Sequence, residues 1–149
     1  MWQLNLPSYK FTTKIDQEKV FIFDNQRKKY VKLTPEEWVR QNFLQYLIID
    51  KHYPAGLIAV ETQLLINGIK KRCDAVVYQR NMSPLIIIEF KSPEIEITQA
   101  TFDQVAVYNS KLNVEKFILS NGFQHYYCVL DKLNRRYIIS QDIPNFVDI

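Results

Sequence analysis

Hydrophobic and polar positions change period several times along the chain, and each change marks an element. Lys19–Phe23 and Lys29–Leu33 alternate as two strands about the turn-like Asp24-Asn25-Gln26-Arg27. Thr34-Pro35-Glu36-Glu37 then opens a helix: Thr34 is a good N-cap, Pro35 suits the first helical position, and Glu37 completes a capping box. Trp38, Val39, Phe43, Tyr46 and Leu47 follow at helical spacing, and Pro54 predicts an end near Lys51-His52-Tyr53. Leu57–Ile66 reads as a strand with Val60, Thr62, Leu64 and Ile66 on one face and Ala59, Glu61, Gln63 and Leu65 on the other. Asn67-Gly68 predicts a type I′ hairpin turn into a second strand, Ile69–Tyr78.

Leu85-Ile86-Ile87-Ile88 is a run of four apolar residues, which predicts a central strand buried on both faces and ending at Ser92-Pro93. A helix over Thr98 to about Leu112 and three strands, Lys116–Ser120, His125–Leu130 and Arg136–Ser140, close the chain. The order strands, helix, three strands, helix, strands predicts an α/β fold, a mixed β-sheet flanked by helices with an α-β-β-β-α-β core. Residues 1–33 read as an N-terminal strand extension, 34–130 as the core and 131–149 as a C-terminal extension of a single domain.

Composition narrows the class. The 149 residues suffice for one core, and 47% hydrophobic with 23% charged is the balance of a globular protein. No apolar run approaches the ~20 residues of a membrane span. Met1-Trp2-Gln3-Leu4-Asn5 lacks the basic start and apolar centre of a secretory signal, so the expected location is the cytoplasm. Cys73 and Cys128 lie in apolar segments and read as free buried thiols, with a disulfide left open. Two histidines, His52 and His125, without close Cys/His spacing argue against zinc. A net charge of +3 is compatible with nucleic-acid binding but does not establish it. The basic cluster Arg27, Lys28, Lys29 and Lys32 is either a solvated hairpin surface or a phosphate-contacting edge, and Lys70, Lys71 and Arg72 pose the same choice.

Candidate chemistry lies where the central strand ends. If Tyr78 pairs with Leu85, antiparallel register sets Asp74 opposite Glu89, with Cβ atoms ~4.5–5.5 Å apart. Two half-buried carboxylates that close repel, and a divalent cation between them removes the penalty. Lys91 falls on the face of Glu89 by alternation, and the Phe90 backbone carbonyl offers a further oxygen. Mg²⁺, with Mn²⁺ as its substitute, takes such a partial oxygen shell and keeps several waters. The competing reading makes Glu89, Lys91 and Asp74 a structural ion-pair group on a purely structural domain, and exposed, separated acids would support it.

Asp74, the apolar strand and Glu89-Phe90-Lys91 resemble the Asp…(Asp/Glu)-x-Lys signature of the PD-(D/E)XK nuclease superfamily, and most closely the N-terminal nuclease domain of type I restriction enzyme R subunits. Pro35-Glu36-Glu37-Trp38-Val39-Arg40-Gln41, Lys71-Arg72-Cys73-Asp74 and Ser120-Asn121-Gly122 add to it, so that it spans about Thr34 to Leu130. Cys73 stands where proline is usual in that signature. The resemblance implies a restriction-endonuclease-like fold and a Mg²⁺-dependent DNA endonuclease with Asp74, Glu89 and Lys91 catalytic. It also implies Glu37, from the early helix, as an additional metal ligand. Gln104-Val105-Ala106-Val107-Tyr108 is similar to the family's Gln-x-x-x-Tyr motif, with Gln104 and Tyr108 on one helical face to contact a nucleotide or support Lys91. Glu61 and Gln63 are candidates for a supporting layer. The implied partners are DNA, a second copy of the chain, and the other subunits of a restriction system. There is no Gly-rich ATP-binding loop, so no ATP site and no motor are expected. A catalytically silent module of the same fold, binding DNA or a protein, is the alternative.

Overall fold

The structure, a computed structural model, describes residues 1–149. Strands β1 (Thr13–Asp16), β2 (Lys19–Asp24) and β3 (Lys29–Lys32) form a small antiparallel sheet. β1 was not anticipated: all four of its residues are exposed, so no buried period distinguishes it. Helix α1 (Pro35–Gln45) follows and continues into a π-turn at Tyr46–Asp50. Then come β4 (Ile58–Ile66), β5 (Ile69–Tyr78), β6 (Pro84–Phe90), α2 (Gln99–Leu112), β7 (Lys116–Ser120), β8 (His125–Asp131) and β9 (Arg136–Ser140).

The six later strands make one sheet in the order β4-β5-β6-β7-β8-β9. Every pair is antiparallel except β6–β7, where Ile88 lies beside Ile118 in parallel register and α2 forms the crossover. The predicted mixed sheet is therefore present, and β9, expected in a C-terminal extension, is its sixth strand. The Asn67-Gly68 turn has positive φ at both positions, 53° and 76°, as a type I′ turn requires.

A helix covers each face of the sheet at its centre. On one face Val39, Phe43 and Leu47 of α1 pack with Ala75, Val77, Ile86, Ile88, Phe90 and Ile118. On the other, Val105 and Leu112 of α2 pack with Val76, Ile87, Phe117, Leu119, Cys73 and Cys128. Ile86, Ile87 and Ile88 are all fully buried, which is why β6 reads as an unbroken apolar run.

One expectation about faces fails. Ile58 and Val60 pack toward α1, whereas Leu64 and Ile66 pack toward α2, although all are even-numbered on one strand. The partner strand does the same, with Ala75 and Val77 toward α1 but Cys73 and Ile69 toward α2. The pairing sum is unchanged through the crossing, from Val60–Ala75 to Thr62–Cys73. The hairpin thus rolls as a unit between these pairs, at the level of Glu61 and Asp74, and Glu61 takes a φ of 49° there. Alternation counted across that roll places Thr62, Leu64 and Ile66 on the wrong face.

Candidate active site

The roll, the end of β6 and the first turn of α1 converge. The β5–β6 ladder runs through Val77–Ile86 to Ala75–Ile88, so its next position sets Asp74 against Glu89. Only the loop end departs from the expected register: Tyr78 pairs with Pro84 rather than Leu85, across a bulge that leaves the rest in phase. Asp74 Oδ2 accepts a hydrogen bond from the Phe90 N–H at 2.8 Å, which ties the acid to the strand that carries Glu89.

Glu89 shares the α2 side of the sheet with Ile87. Its pKa is raised to about 7, chiefly because burial strips its solvation and then because of the Asp74 charge. Oε1 of Glu89 is inaccessible and makes no well-directed hydrogen bond. The Lys71 ammonium lies 3.1 Å from that oxygen, an ionic contact without hydrogen-bond geometry. The same ammonium sits 4.7 Å from the centre of the Tyr108 ring.

Lys91 lies one residue past the end of β6, half-buried and in no salt bridge. Its N–H donates to Ser120 O at 2.9 Å, so the turn after β7 fixes the exit of β6. That turn is itself braced. Asn121 Nδ2 donates to Ile95 O at 2.9 Å, and Asn121 Oδ1 accepts from the N–H groups of Phe123 and Gln124. His125 Nε2 donates to Asn5 O at 2.9 Å, which leaves Nδ1 to accept from the Ser120 hydroxyl at 2.7 Å. Burial lowers the His125 pKa and keeps the ring neutral in this arrangement.

Glu36 and Glu37, neighbours in the first turn of α1, sit in different surroundings. Glu36 lies within the fields of both Asp74 and Lys91, and its pKa is raised by partial burial and by the Asp74 charge, against lowering by Arg40 and Lys91. Glu37 is buried in a different network, and its carboxylate is held by Arg27 and, at 2.6 Å, by Arg40 Nε. Only half of the expected capping box exists: Thr34 Oγ1 accepts from the Glu37 N–H at 3.0 Å, while the Glu37 side chain turns to the arginines. Arg27, read as part of a basic surface, also pairs with buried Asp24, so only Lys28, Lys29 and Lys32 of that cluster are exposed. Arg40 NH1 and Arg72 NH2 each reach Glu61 at 2.7 Å. Glu61 is therefore held by cations at the roll opposite Asp74, and the two arginines depress its pKa to about 2.

Gln63 is exposed, pairs with Arg72 and makes no hydrogen bond to the acids, so the structure does not bring it into the site. Gln104 and Tyr108 are both exposed on α2. Tyr108 meets Lys71 rather than Lys91, and Gln104 lies one helical turn before it. Cys73 and Cys128 are free and buried together in the core beneath α2. The hollow at the start of α2, lined by Ile97, Phe102, Leu119, Tyr126 and Ile139, is apolar and contains none of the acids.

No point in the structure gathers three or more His, Cys, Asp or Glu side chains in metal-ligating geometry. Two adjacent carboxylates with an oxygen lacking a hydrogen bond nevertheless fit Mg²⁺, which takes one or two carboxylates and fills its remaining positions with water and phosphate oxygens. Asp74 and Glu89 are the carboxylates that would hold such an ion.

No helix is long and apolar enough to cross a membrane. No curated protein matches the chain. Among solved structures it is similar to a fragment assigned to the HsdR subunit of a type I restriction enzyme from Vibrio vulnificus YJ016, at 14% identity with a TM-score of 0.56. That likeness covers 75% of this chain but 24% of the other, so this chain spans about a quarter of that structure's length, and at such identity it is a likeness of fold. The family model for the type I restriction enzyme R protein N terminus matches residues 35–144, and the chain belongs to that family.

Proposed function

We propose that the chain is a metal-dependent DNA endonuclease domain that hydrolyses phosphodiester bonds at Asp74, Glu89 and Lys91. The observation that carries the reading is the half-buried Asp74–Glu89 pair, with a Glu89 oxygen that has no hydrogen bond and a pKa raised to about 7. Keeping two such carboxylates adjacent is costly unless a cation neutralises them, so the pair is better suited to holding an ion than to stabilising the fold. The neighbours of the pair are suited to phosphate: Lys91 has no carboxylate partner, and Lys70 is exposed on the same hairpin as Asp74. Membership of the R-subunit N-terminal family makes DNA the expected substrate and the other subunits of a restriction system the expected partners.

In hydrolysis a water oxygen forms a bond to phosphorus while the bond to one ester oxygen breaks. The water gives up a proton, and the departing oxygen takes one. Asp74, Glu89 and the Phe90 carbonyl would hold the Mg²⁺ ion, which when bound would supply charge neutralisation and polarise the phosphate. Lys91 places an ammonium where negative charge grows on the phosphate oxygens, and the Lys91 N–H bond to Ser120 O fixes the backbone that carries it. The Phe90 N–H orients Asp74 through Oδ2. Glu36, raised in pKa and within the fields of Asp74 and Lys91, is the group we assign to accept the proton from the attacking water, a role distinct from the metal ligation that the resemblance gave to Glu37. Gln104 and Tyr108, exposed on α2 beside this edge, are available to the nucleotide flanking the cut.

The test is cleavage of circular and linear DNA with Mg²⁺ or Mn²⁺ by the intact chain, beside Asp74→Ala and Lys91→Ala. Cutting that needs the ion and is lost in both variants is the expected result. Activity retained by Asp74→Ala rejects the site, and ion binding without turnover in the intact chain favours the silent module.

A further inference from the structure

Lys71 has no role in the reading above, yet its ammonium lies where a bound cation would be felt most. It is 3.1 Å from Glu89 Oε1, the oxygen without a hydrogen bond, and 4.7 Å from the centre of the Tyr108 ring. The Lys71 side chain is only 19% exposed. The roll of the hairpin explains its position, because beyond Asp74 the odd-numbered residues Cys73 and Ile69 face α2, and Lys71 lies between them. Had the strand kept its alternation, Lys71 would face away from Glu89.

The contact is suited to exchange. An ammonium that meets a carboxylate without hydrogen-bond geometry is held mainly by charge, and the face of an aromatic ring holds it the same way. A doubly charged ion bound to Glu89 competes directly, because its field repels a cation a few ångströms away. The lysine has somewhere to go: it is long and flexible, and its neighbours Lys70 and Arg72 are exposed on the same arm.

We propose that Lys71 is a displaceable counter-ion of this site, neutralising Glu89 when no metal is present and moving to a DNA phosphate when metal and substrate bind. Tyr108 is then its resting platform, which gives that tyrosine a role distinct from base contact. The inference rests on the assignment of Asp74 and Glu89 as metal ligands. It has a thermodynamic corollary. DNA that draws Lys71 away strengthens metal binding, and by linkage metal strengthens DNA binding by the same factor.

Mn²⁺ binding to the intact chain, measured by titration calorimetry with and without a short DNA duplex, tests this without reference to turnover. Lys71→Met and, as a second variant that keeps a polar end, Lys71→Gln are compared with the unaltered chain and with Glu89→Gln. The expected result is Mn²⁺ binding tightened about ten-fold in both Lys71 variants, equivalent to about 1.4 kcal/mol, with most of the enhancement by DNA lost. Unchanged or weaker Mn²⁺ binding in both Lys71 variants, with binding still sensitive to Glu89→Gln, overturns the role of Lys71 and leaves the metal site standing. Absence of Mn²⁺ binding throughout, or binding indifferent to Glu89→Gln, overturns the metal site and this inference with it.

Discussion

Replacing Glu89 by glutamine is expected to stabilise the fold at alkaline pH while abolishing function. Burial and the Asp74 charge raise the Glu89 pKa from its ordinary 4.5 to about 7. A carboxyl whose pKa is raised by folding binds its proton more tightly in the native state than in the unfolded one. Stability is then greatest below pH 4.5 and is lost as pH rises from 4.5 through about 7. At about 1.4 kcal/mol per pH unit, the interval corresponds to about 3 kcal/mol. With the Glu89 side chain only 14% exposed, solvent screening removes little of this. Glutamine keeps the shape but never ionises, so Glu89→Gln should exceed the unaltered chain by about 2–3 kcal/mol at about pH 8.5 and differ by under about 1 kcal/mol at about pH 5. Urea unfolding followed by tryptophan fluorescence at the two pH values reads the difference, and titrating groups remote from Glu89 cancel between the two proteins. Added Mg²⁺ at about pH 8.5 should restore stability to the unaltered chain alone, by about 2.7 kcal/mol at a hundred times its dissociation constant. A Glu89→Gln variant no more stable than its parent at alkaline pH refutes the claim that ionising Glu89 costs the folded state stability despite the Lys71 contact.

Three further outcomes follow from named contacts. Glu36→Gln should weaken Mn²⁺ binding or cleavage with little effect on stability, whereas Glu37→Gln should leave Mn²⁺ affinity nearly intact but destabilise by about 3 kcal/mol, because Arg27 and Arg40 lose a buried partner. Calorimetric ion titration and urea melts distinguish the two, and the opposite pattern would restore Glu37 to the site. Ile88→Ala, at a fully buried position between α1 and the sheet, should cost about 2–5 kcal/mol in the same melts. Gly122→Ala should destabilise by about 1–3 kcal/mol, since φ there is +89° and an added Cβ would stand 2.7 Å from Leu4 Cδ2. That change also disturbs the turn holding Lys91, so a loss of cleavage larger than the loss of folded protein is expected from activity measured beside circular dichroism.

The sheet and both helices were legible because their signals are local and mutually consistent. The Thr34 cap, the Asn67-Gly68 turn and the apolar run Leu85–Ile88 each admit few conformations, and together they leave one order of elements. The Asp74–Glu89 register was legible for the same reason, and it survived an incorrect pairing at Tyr78 because the bulge absorbed the difference at the loop end. Choosing between Glu36 and Glu37 was a matter of helical phase. Glu36 precedes Phe43 by seven residues, two turns along the same stripe, and Phe43 packs on Phe90 with ring centres 5.6 Å apart. That stripe sets Glu36 over the end of β6, within the fields of Asp74 and Lys91. The family resemblance pointed to Glu37 instead, and its partner Arg27 comes from a separate sheet whose docking no local pattern reveals.

Lys71 and Gln63 show a different kind of limit. Gln63 was assigned to a face by counting alternation through Glu61, and any such count, for Lys71 as for Gln63, fails because the hairpin rolls there without any change in pairing. Nothing apolar marks the roll; its signs are Glu61 at a φ of 49° and the arginines gathered on that carboxylate. A non-glycine residue at positive φ is strained unless its surroundings hold it, and Arg40 and Arg72 supply that hold. The consequence is functional. If Arg40 were replaced by methionine, Glu61 would lose its buried partner, and the roll that delivers Lys71 to Glu89 would lose its brace. Since Asp74 lies across from Glu61 on the paired strand, the effect should appear as altered Mn²⁺ affinity in a protein that still melts cooperatively. A variant with unchanged ion affinity would mean that the β5–β6 ladder and the Phe90 N–H suffice to place Asp74.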